Sequence, residues 1–132
     1  MRILLFIVVL AAYAEVEASP CNNEASSLAR VLYAEAKGAS LEGTLVVGEC
    51  MLTRAENQGR SICNTVGVKR ATPPKDLIQY YTALAKQLLK MDKRPLSHGC
   101  DSWNAGTKPR HPGKVTRQID GQVFYVLKPI KE

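Results

Sequence analysis

Aromatic residues are scarce in this sequence: Phe, Trp and Tyr make up 6% of the 132 residues, and there is a single Trp. The chain has no phosphate-binding loop, no Gly-x-Ser-x-Gly motif and no internal repeat, so nothing supports nucleotide chemistry, α/β-hydrolase chemistry or a repeat architecture. His98 and His111 lack the helical pairing or the Cys cluster of a typical metal site, and we therefore expect no metal and no cofactor. Ordinary apolar content (45%) and the length predict one globular domain.

There is one long apolar run, and it lies at the beginning of the chain. Ile3 to Ala14 carry no charge, follow Arg2, and precede small residues that suit signal peptidase. At about a dozen residues the run is too short to span a bilayer, which makes a polytopic membrane protein untenable. We predict a signal peptide over residues 1–18, one domain over residues 19–132, and a secreted, periplasmic or cell-envelope protein that meets the membrane only through this segment. A buried N-terminal helix or an uncleaved anchor is the alternative.

Export changes how the cysteines and the charge are interpreted. Cys21, Cys50, Cys63 and Cys100 all follow the predicted cleavage site, which suggests up to two disulfides in three possible pairings. A free buried thiol at Cys50 is the alternative. Cleavage after Ala18 would raise the net charge from +6 to +7. A basic exported protein favours an anionic envelope polymer as its partner and makes nucleic acid improbable.

The hydrophobic pattern predicts helices followed by a β-hairpin, an α+β fold that is mainly α. Gly43 and Gly48 would let a second helix approach closely, and Tyr80 and Tyr81 are expected in the core. The expected elements are a helix from about Glu24 to Lys37, a helix that begins after Ser40, a helix that ends near Met91, an irregular stretch over residues 93–114, and a hairpin of Val115–Ile119 and Gln122–Leu127 around an Asp-Gly turn. Asn22 or Asn23 can cap the first helix, and Ser40 is the natural N-cap of the second.

Glu35 does not fit its surroundings. It follows Leu28 by seven residues, Val31 by four and Leu32 by three, so it lies within the apolar stripe of the first helix. A carboxylate on such a face either has a partner or holds its proton near neutral pH, and a proton-holding carboxyl in a cleft is a general acid. The structural alternative is that Glu35 is paired with Arg30, Arg54 or a backbone end and serves only to fix this helix.

The sequence offers less support for three other candidate side chains. Glu49, on the flank of the second helix, is either a second carboxylate of the site or an ion-pair partner. Asp101 lies in the irregular stretch and is interpreted as a turn former. Trp103, in the same stretch, could stack on a sugar ring or a base.

Several segments carry a resemblance to a known family. Leu28 to Gly38, continued through Glu42-Gly43 to Thr53-Arg54, resembles the SleB-like (spore cortex-lytic type) cell wall hydrolases, whose pattern has a Gly-Glu-Ala-Arg-Gly core and a closing Asn-Arg. Further matches follow in the same order: Asn64-Thr65-Val66, Gly99 through Trp103-Asn104, and Val123-Phe124-Tyr125. Ala34, Lys37 and Thr53 depart from the family pattern, and Gln122 stands where a His is common.

The resemblance implies a lysozyme-like helical domain that cleaves peptidoglycan glycan strands without a cofactor. It places Glu35 on the catalytic glutamate of a lytic transglycosylase that acts on the bond between N-acetylmuramic acid and N-acetylglucosamine. Tyr125, Trp103 and Thr53 are the candidates for sugar binding, and a monomer is expected. The alternatives are a hydrolytic muramidase, in which Glu49 or Asp101 positions water, and a secreted basic module that binds wall polymer without cutting it.

Overall fold

The computed structural model describes residues 23–128, so the predicted signal peptide lies outside the described residues. The described part has mixed α+β architecture, which agrees with the coarse fold class expected from the sequence. Its elements are α1 (Glu24–Ala36), α2 (Leu41–Gln58), a short 3-10 helix (Ile62–Asn64), α3 (Ile78–Lys90), β1 (Ser102–Ala105), β2 (Gly113–Ile119) and β3 (Gln122–Leu127). Within this range no helix is both long enough and apolar enough to cross a membrane.

The first two helices begin at the caps that the sequence predicts. The Asn23 side chain accepts a hydrogen bond from the Ser26 N–H at 2.9 Å, and Ser40 Oγ accepts one from the Gly43 N–H at 3.1 Å. Gly38, with φ +84°, turns the chain out of α1. These local hydrogen bonds fix where each helix starts, and therefore where Glu35 lies near the end of α1.

Helix α2 occupies the centre of the fold, and its two glycines make close approaches of different kinds. A Cβ at Gly48 would overlap the Leu88 side chain of α3, which confirms the predicted helix contact. A Cβ at Gly43 would instead overlap the Asp120 carboxylate in the β-hairpin, so the expectation of a helix neighbour there is wrong. The hairpin turn uses that carboxylate to accept hydrogen bonds from the Ser40 N–H and hydroxyl.

Helix α3 packs one face on the core and leaves the other in solvent. Tyr81, Leu84 and Leu88 are buried as the apolar periodicity predicts. Tyr80 is 47% exposed, so its predicted core position is wrong. Tyr80 precedes Tyr81 by one residue, which places it about 100° around the helix and away from the core. The two rings meet edge-on, with 5.1 Å between their centroids.

The C-terminal part is a three-stranded antiparallel sheet in the order β1-β3-β2. The predicted hairpin is present, and Asp120 and Gly121 have φ values of +54° and +74°, as the tight turn requires. The stretch over residues 93–114 was expected to be irregular, but it contains β1, in which Trp103 pairs with Phe124. At four residues, β1 is too short to show an alternating pattern of its own.

A disulfide joins Cys50 of α2 to Cys100, just before β1, with 5.0 Å between the Cα atoms. The alternative of a free thiol at Cys50 is therefore wrong. Cys63 is disulfide-bonded as well. The Cys50–Cys100 link ties the sheet to the central helix beside the segment that carries Trp103.

Candidate active site

A groove of about 520 Å³ lies where the end of α1, the turn over residues 67–69 and strand β1 meet. Glu35 lines it from α1, Trp103 lines it from β1, and Arg110 and Gln122 complete the walls. Among the described residues that line this groove, Glu35 is the only acid. The groove therefore combines one carboxyl with an aromatic ring and with cationic side chains.

The Glu35 side chain is half-buried and is held by two donors from different segments. The backbone N–H of Lys69 donates to Oε1 at 2.8 Å, and the indole N–H of Trp103 donates to Oε2 at 2.6 Å. Within residues 23–128 no Lys or Arg forms an ion pair with it, so the alternative pairing with Arg30 or Arg54 does not occur there, whereas a backbone partner, the Lys69 N–H, is present. Each carboxyl oxygen accepts one of these bonds and keeps a second lone pair for other partners.

Trp103 is positioned by more than its own strand. The Arg54 guanidinium lies over its ring, with 5.0 Å from Cζ to the ring centroid. One face of the indole is thus covered by protein, and its N–H is committed to Glu35.

Polar and cationic groups surround the carboxyl at longer range. Gln122 Nε2 donates to the backbone oxygen of Glu35 at 3.4 Å, which ties β3 to the end of α1. Its Oε1 is buried and has no hydrogen-bond partner in the described part of the chain. Asn104 accepts a bond from the Arg110 N–H at 2.8 Å, so the loop after β1 is folded against the groove. The exposed side chains of Lys69 and Arg110 give the groove a positive rim.

Glu49, the candidate second carboxylate, is 1% exposed and does not line the groove. Its Oε1 accepts hydrogen bonds from the backbone N–H groups of Leu96 and Ser97, at 3.0 and 2.8 Å. Its Oε2 is buried without a partner among the described residues. Glu49 therefore fastens the chain before β1 to the central helix.

Asp101 has a comparable structural environment. Its Oδ1 accepts hydrogen bonds from the Ser102 hydroxyl and from the Leu127 N–H, both at 3.1 Å. Its Oδ2 accepts one from the Asn57 amide at 3.1 Å. These bonds connect the start of β1 to β3 and α2.

Two of the three predicted sugar-binding residues lie apart from Glu35. The Thr53 hydroxyl donates to the Glu49 backbone oxygen at 3.1 Å and accepts from Arg94 at 3.0 Å. Tyr125 is 2% exposed, and its ring lies so close to Gly113 of β2 that a Cβ there would overlap it. Trp103 is the candidate that the fold brings to the carboxyl.

Sequence reasoning did not single out the Lys69 amide, Arg110 or a bracing role for Arg54. A backbone N–H in a turn carries no residue-type signal, so Lys69 could not be found from the sequence. Arg54 was considered only as an ion-pair partner, yet its donors go to neutral acceptors. The sequence feature closest to an indication of this contact is Gly67, because a glycine with φ +79° lets the backbone approach Arg54 closely.

Comparison with known proteins gives no independent assignment. No protein-family model matches the chain, and no curated protein or solved structure matches it significantly. The function must therefore be inferred from the site itself and from the motif resemblance.

Proposed function

We propose that this chain is an exported peptidoglycan lytic transglycosylase in which Glu35 is the single acid and base. The observation that carries the proposal is the environment of the Glu35 carboxyl, which opens into a groove and is held by a backbone N–H and an indole N–H without an ion pair among residues 23–128. The lysozyme-like arrangement and the catalytic role of Glu35 in the SleB-like hydrolases are what the resemblance adds.

One carboxyl is enough for the reaction. Glu35 donates its proton to the glycosidic oxygen, and the bond between that oxygen and the anomeric carbon of N-acetylmuramic acid breaks. The 6-hydroxyl of the same sugar then bonds to the anomeric carbon, and its proton passes to the Glu35 carboxylate. The products are a 1,6-anhydro end and a free 4-hydroxyl, no water is consumed, and the acid is restored.

The position of the other carboxylates favours this route over hydrolysis. A hydrolytic muramidase that inverts configuration needs a second carboxylate about 6.5–9.5 Å away to activate water, and a retaining one needs a nucleophile at about 5 Å. Glu49 and Asp101 are buried and do not line the groove, and Glu49 Oε1 and both Asp101 oxygens accept hydrogen bonds from backbone and side-chain donors outside it. Neither is placed to hold a water molecule against a sugar bound at Glu35.

The positive rim suits the substrate class. The peptides of peptidoglycan carry carboxylates, and two exposed basic residues, Lys69 and Arg110, line the groove beside Glu35. Opposite charge at the groove mouth raises the encounter rate of an anionic polymer and makes binding salt-dependent.

The test is digestion of purified sacculi with the mature protein, Glu35→Gln and Glu24→Gln, followed by mass spectrometry of the released muropeptides. Glu24 lies on the same helix in its exposed first turn, so its variant is the matched control. We expect anhydro products from the wild type and the control, and a rate lower by about 10²- to 10⁴-fold for Glu35→Gln. Products heavier by one water molecule would identify a hydrolase.

A basic binding module is the competing outcome. It would bind sacculi in a salt-sensitive way, release nothing, and be indifferent to Glu35→Gln. A folded wild-type protein that releases no muropeptides would overturn the enzymatic proposal.

A further inference from the structure

We infer that Arg54 is a positioning residue that holds both segments from which the Glu35 carboxyl receives its hydrogen bonds. The two donors to Glu35 are the Lys69 N–H and the Trp103 indole, and they belong to chain segments that are far apart in sequence. Arg54, on a third segment, contacts both of these segments, at Gly67 in one and at Asp101, Ser102 and Trp103 in the other. Its consequence for catalysis rests on the proposed function, whereas its structural part does not.

We call the contacts of Arg54 with these two segments the Arg54 brace. The first set of contacts is with the turn over residues 67–69. Arg54 Nη1 donates to the Gly67 backbone oxygen at 2.6 Å, two residues before the amide that binds Glu35. A Cβ at position 67 would lie 3.1 Å from Arg54 Nη1, tighter than ordinary contact. Glycine at this position therefore permits the short hydrogen bond.

The second set of Arg54 contacts is with the start of β1. Arg54 Nε donates to the Asp101 backbone oxygen at 2.9 Å, and Nη2 donates to the Ser102 hydroxyl at 3.3 Å. The guanidinium plane also covers the Trp103 ring at 5.0 Å. Three contacts on consecutive residues fix the start of β1 and the orientation of the indole whose N–H donates to Glu35.

The acceptors that the Arg54 guanidinium binds indicate that it positions chain segments rather than pairing with a charge. Arg54 is half-buried, and its hydrogen-bond acceptors are two backbone oxygens and a hydroxyl, with no ion pair among the described residues. A guanidinium has donors in a rigid planar fork, which lets one side chain hold two segments at a fixed separation. A lysine can supply the charge but only one point of attachment.

Trp103 is the only tryptophan of the chain, so its fluorescence reports on the brace directly. We expect Arg54→Gln to shift the Trp103 emission and raise its acrylamide quenching, while the far-ultraviolet circular dichroism is unchanged. Arg60→Gln, which removes an exposed arginine just beyond the same helix, is the matched control and should change neither. Glu35→Gln should alter the Trp103 emission of the otherwise wild-type protein. It should alter this emission less when Arg54→Gln is also present, because the indole N–H is then no longer held against the carboxyl.

The catalytic part is tested on soluble glycan-chain fragments. Because a displacement of about 1 Å at a reacting group can cost about 10²-fold, Arg54→Gln should lower kcat by about 10- to 100-fold with KM within twofold. Arg54→Lys should recover part of this loss, and it is also the variant to use if Arg54→Gln does not fold. Additive fluorescence changes, or unchanged emission in both Arg54 variants, would overturn the inference. If the emission responds as expected but the wild type cleaves no glycan, the brace stands and the proposed function fails.

Discussion

The Cys50–Cys100 disulfide should contribute substantially to the stability of this domain. The perturbation is the double substitution of Cys50 and Cys100 by alanine, which removes the link without leaving a reactive thiol at either position. Both cysteines are fully buried, and the link joins the central helix to the segment that leads into β1. Losing it releases a long loop in the unfolded chain.

The size of the effect follows from the loop. The cysteines are 50 residues apart, and in the chain-entropy treatment a closed loop of that length stabilises the folded state by about 4 kcal/mol at 25 °C. Because strain and residual structure lower such values, native disulfides in small secreted domains contribute about 2–5 kcal/mol when measured. We expect the free energy of unfolding to fall by an amount in this range.

Equilibrium unfolding in guanidinium chloride, followed by circular dichroism without reductant, measures the loss. The denatured state of the double variant is less constrained and exposes more surface, so its m-value should rise as its midpoint falls. Serine substitutions would leave buried hydroxyl groups, and alanine is therefore the cleaner replacement. A double variant that unfolds within 1 kcal/mol of the wild type, at an unchanged m-value, would refute the cross-link reasoning.

Three further predictions concern individual contacts. Glu49→Gln keeps an oxygen that can accept the Leu96 and Ser97 N–H groups, so the free energy of unfolding should fall by no more than about 1–3 kcal/mol. The rate of muropeptide release by the folded variant should be unchanged. A 100-fold drop in that rate would restore Glu49 as a catalytic carboxylate. Gly48→Ala gains about 1 kcal/mol of helix propensity but overpacks Leu88 at a cost of about 1–3 kcal/mol, so thermal unfolding should show a net loss, and a clear gain in stability would contradict the close approach. The hydrogen bond from Arg94, aided by its charge, lowers the pKa of Glu56, so this pair stabilises the fold above the usual carboxyl value of 4.5 and loses that contribution as pH falls through the lowered value. With Glu56 64% exposed, the contribution is about 0.2–1 kcal/mol, and Glu56→Gln should flatten the stability–pH curve only in that acidic window; an equal change at neutral and acidic pH would contradict this.

The parts of the fold that the sequence predicts well are those that local chemistry decides. Asn23 and Ser40 begin helices because a side-chain oxygen can reach an N–H two or three residues ahead, and that signal is complete within four residues. The Asp120-Gly121 turn is likewise a local matter, since both residues adopt positive φ. Such features need no knowledge of the rest of the chain.

Features that depend on distant partners could not be predicted. Strand β1 exists because it pairs with β3, where Trp103 faces Phe124 across the ladder, and four residues alone do not indicate a strand. The identity of Trp103 as an aromatic suggested stacking on a ligand. That its N–H binds Glu35 and its face lies under Arg54 follows only from the meeting of three segments.

Glu35 and Glu49 show why periodicity alone could not choose between two carboxylates. Each lies on a helix that contributes to the core, and each accepts hydrogen bonds from two N–H donors, which belong to two different segments for Glu35 and to one segment for Glu49. They differ in what their remaining lone pairs meet: Glu49 is sealed at 1% exposure, whereas Glu35 lines an open groove. Proton transfer to a glycosidic oxygen requires approach to about 3 Å, so only the carboxyl that a sugar can reach is able to act as the acid. Access to the groove, rather than burial in an apolar stripe, is therefore the property that favours Glu35 over Glu49 in the proposed reaction.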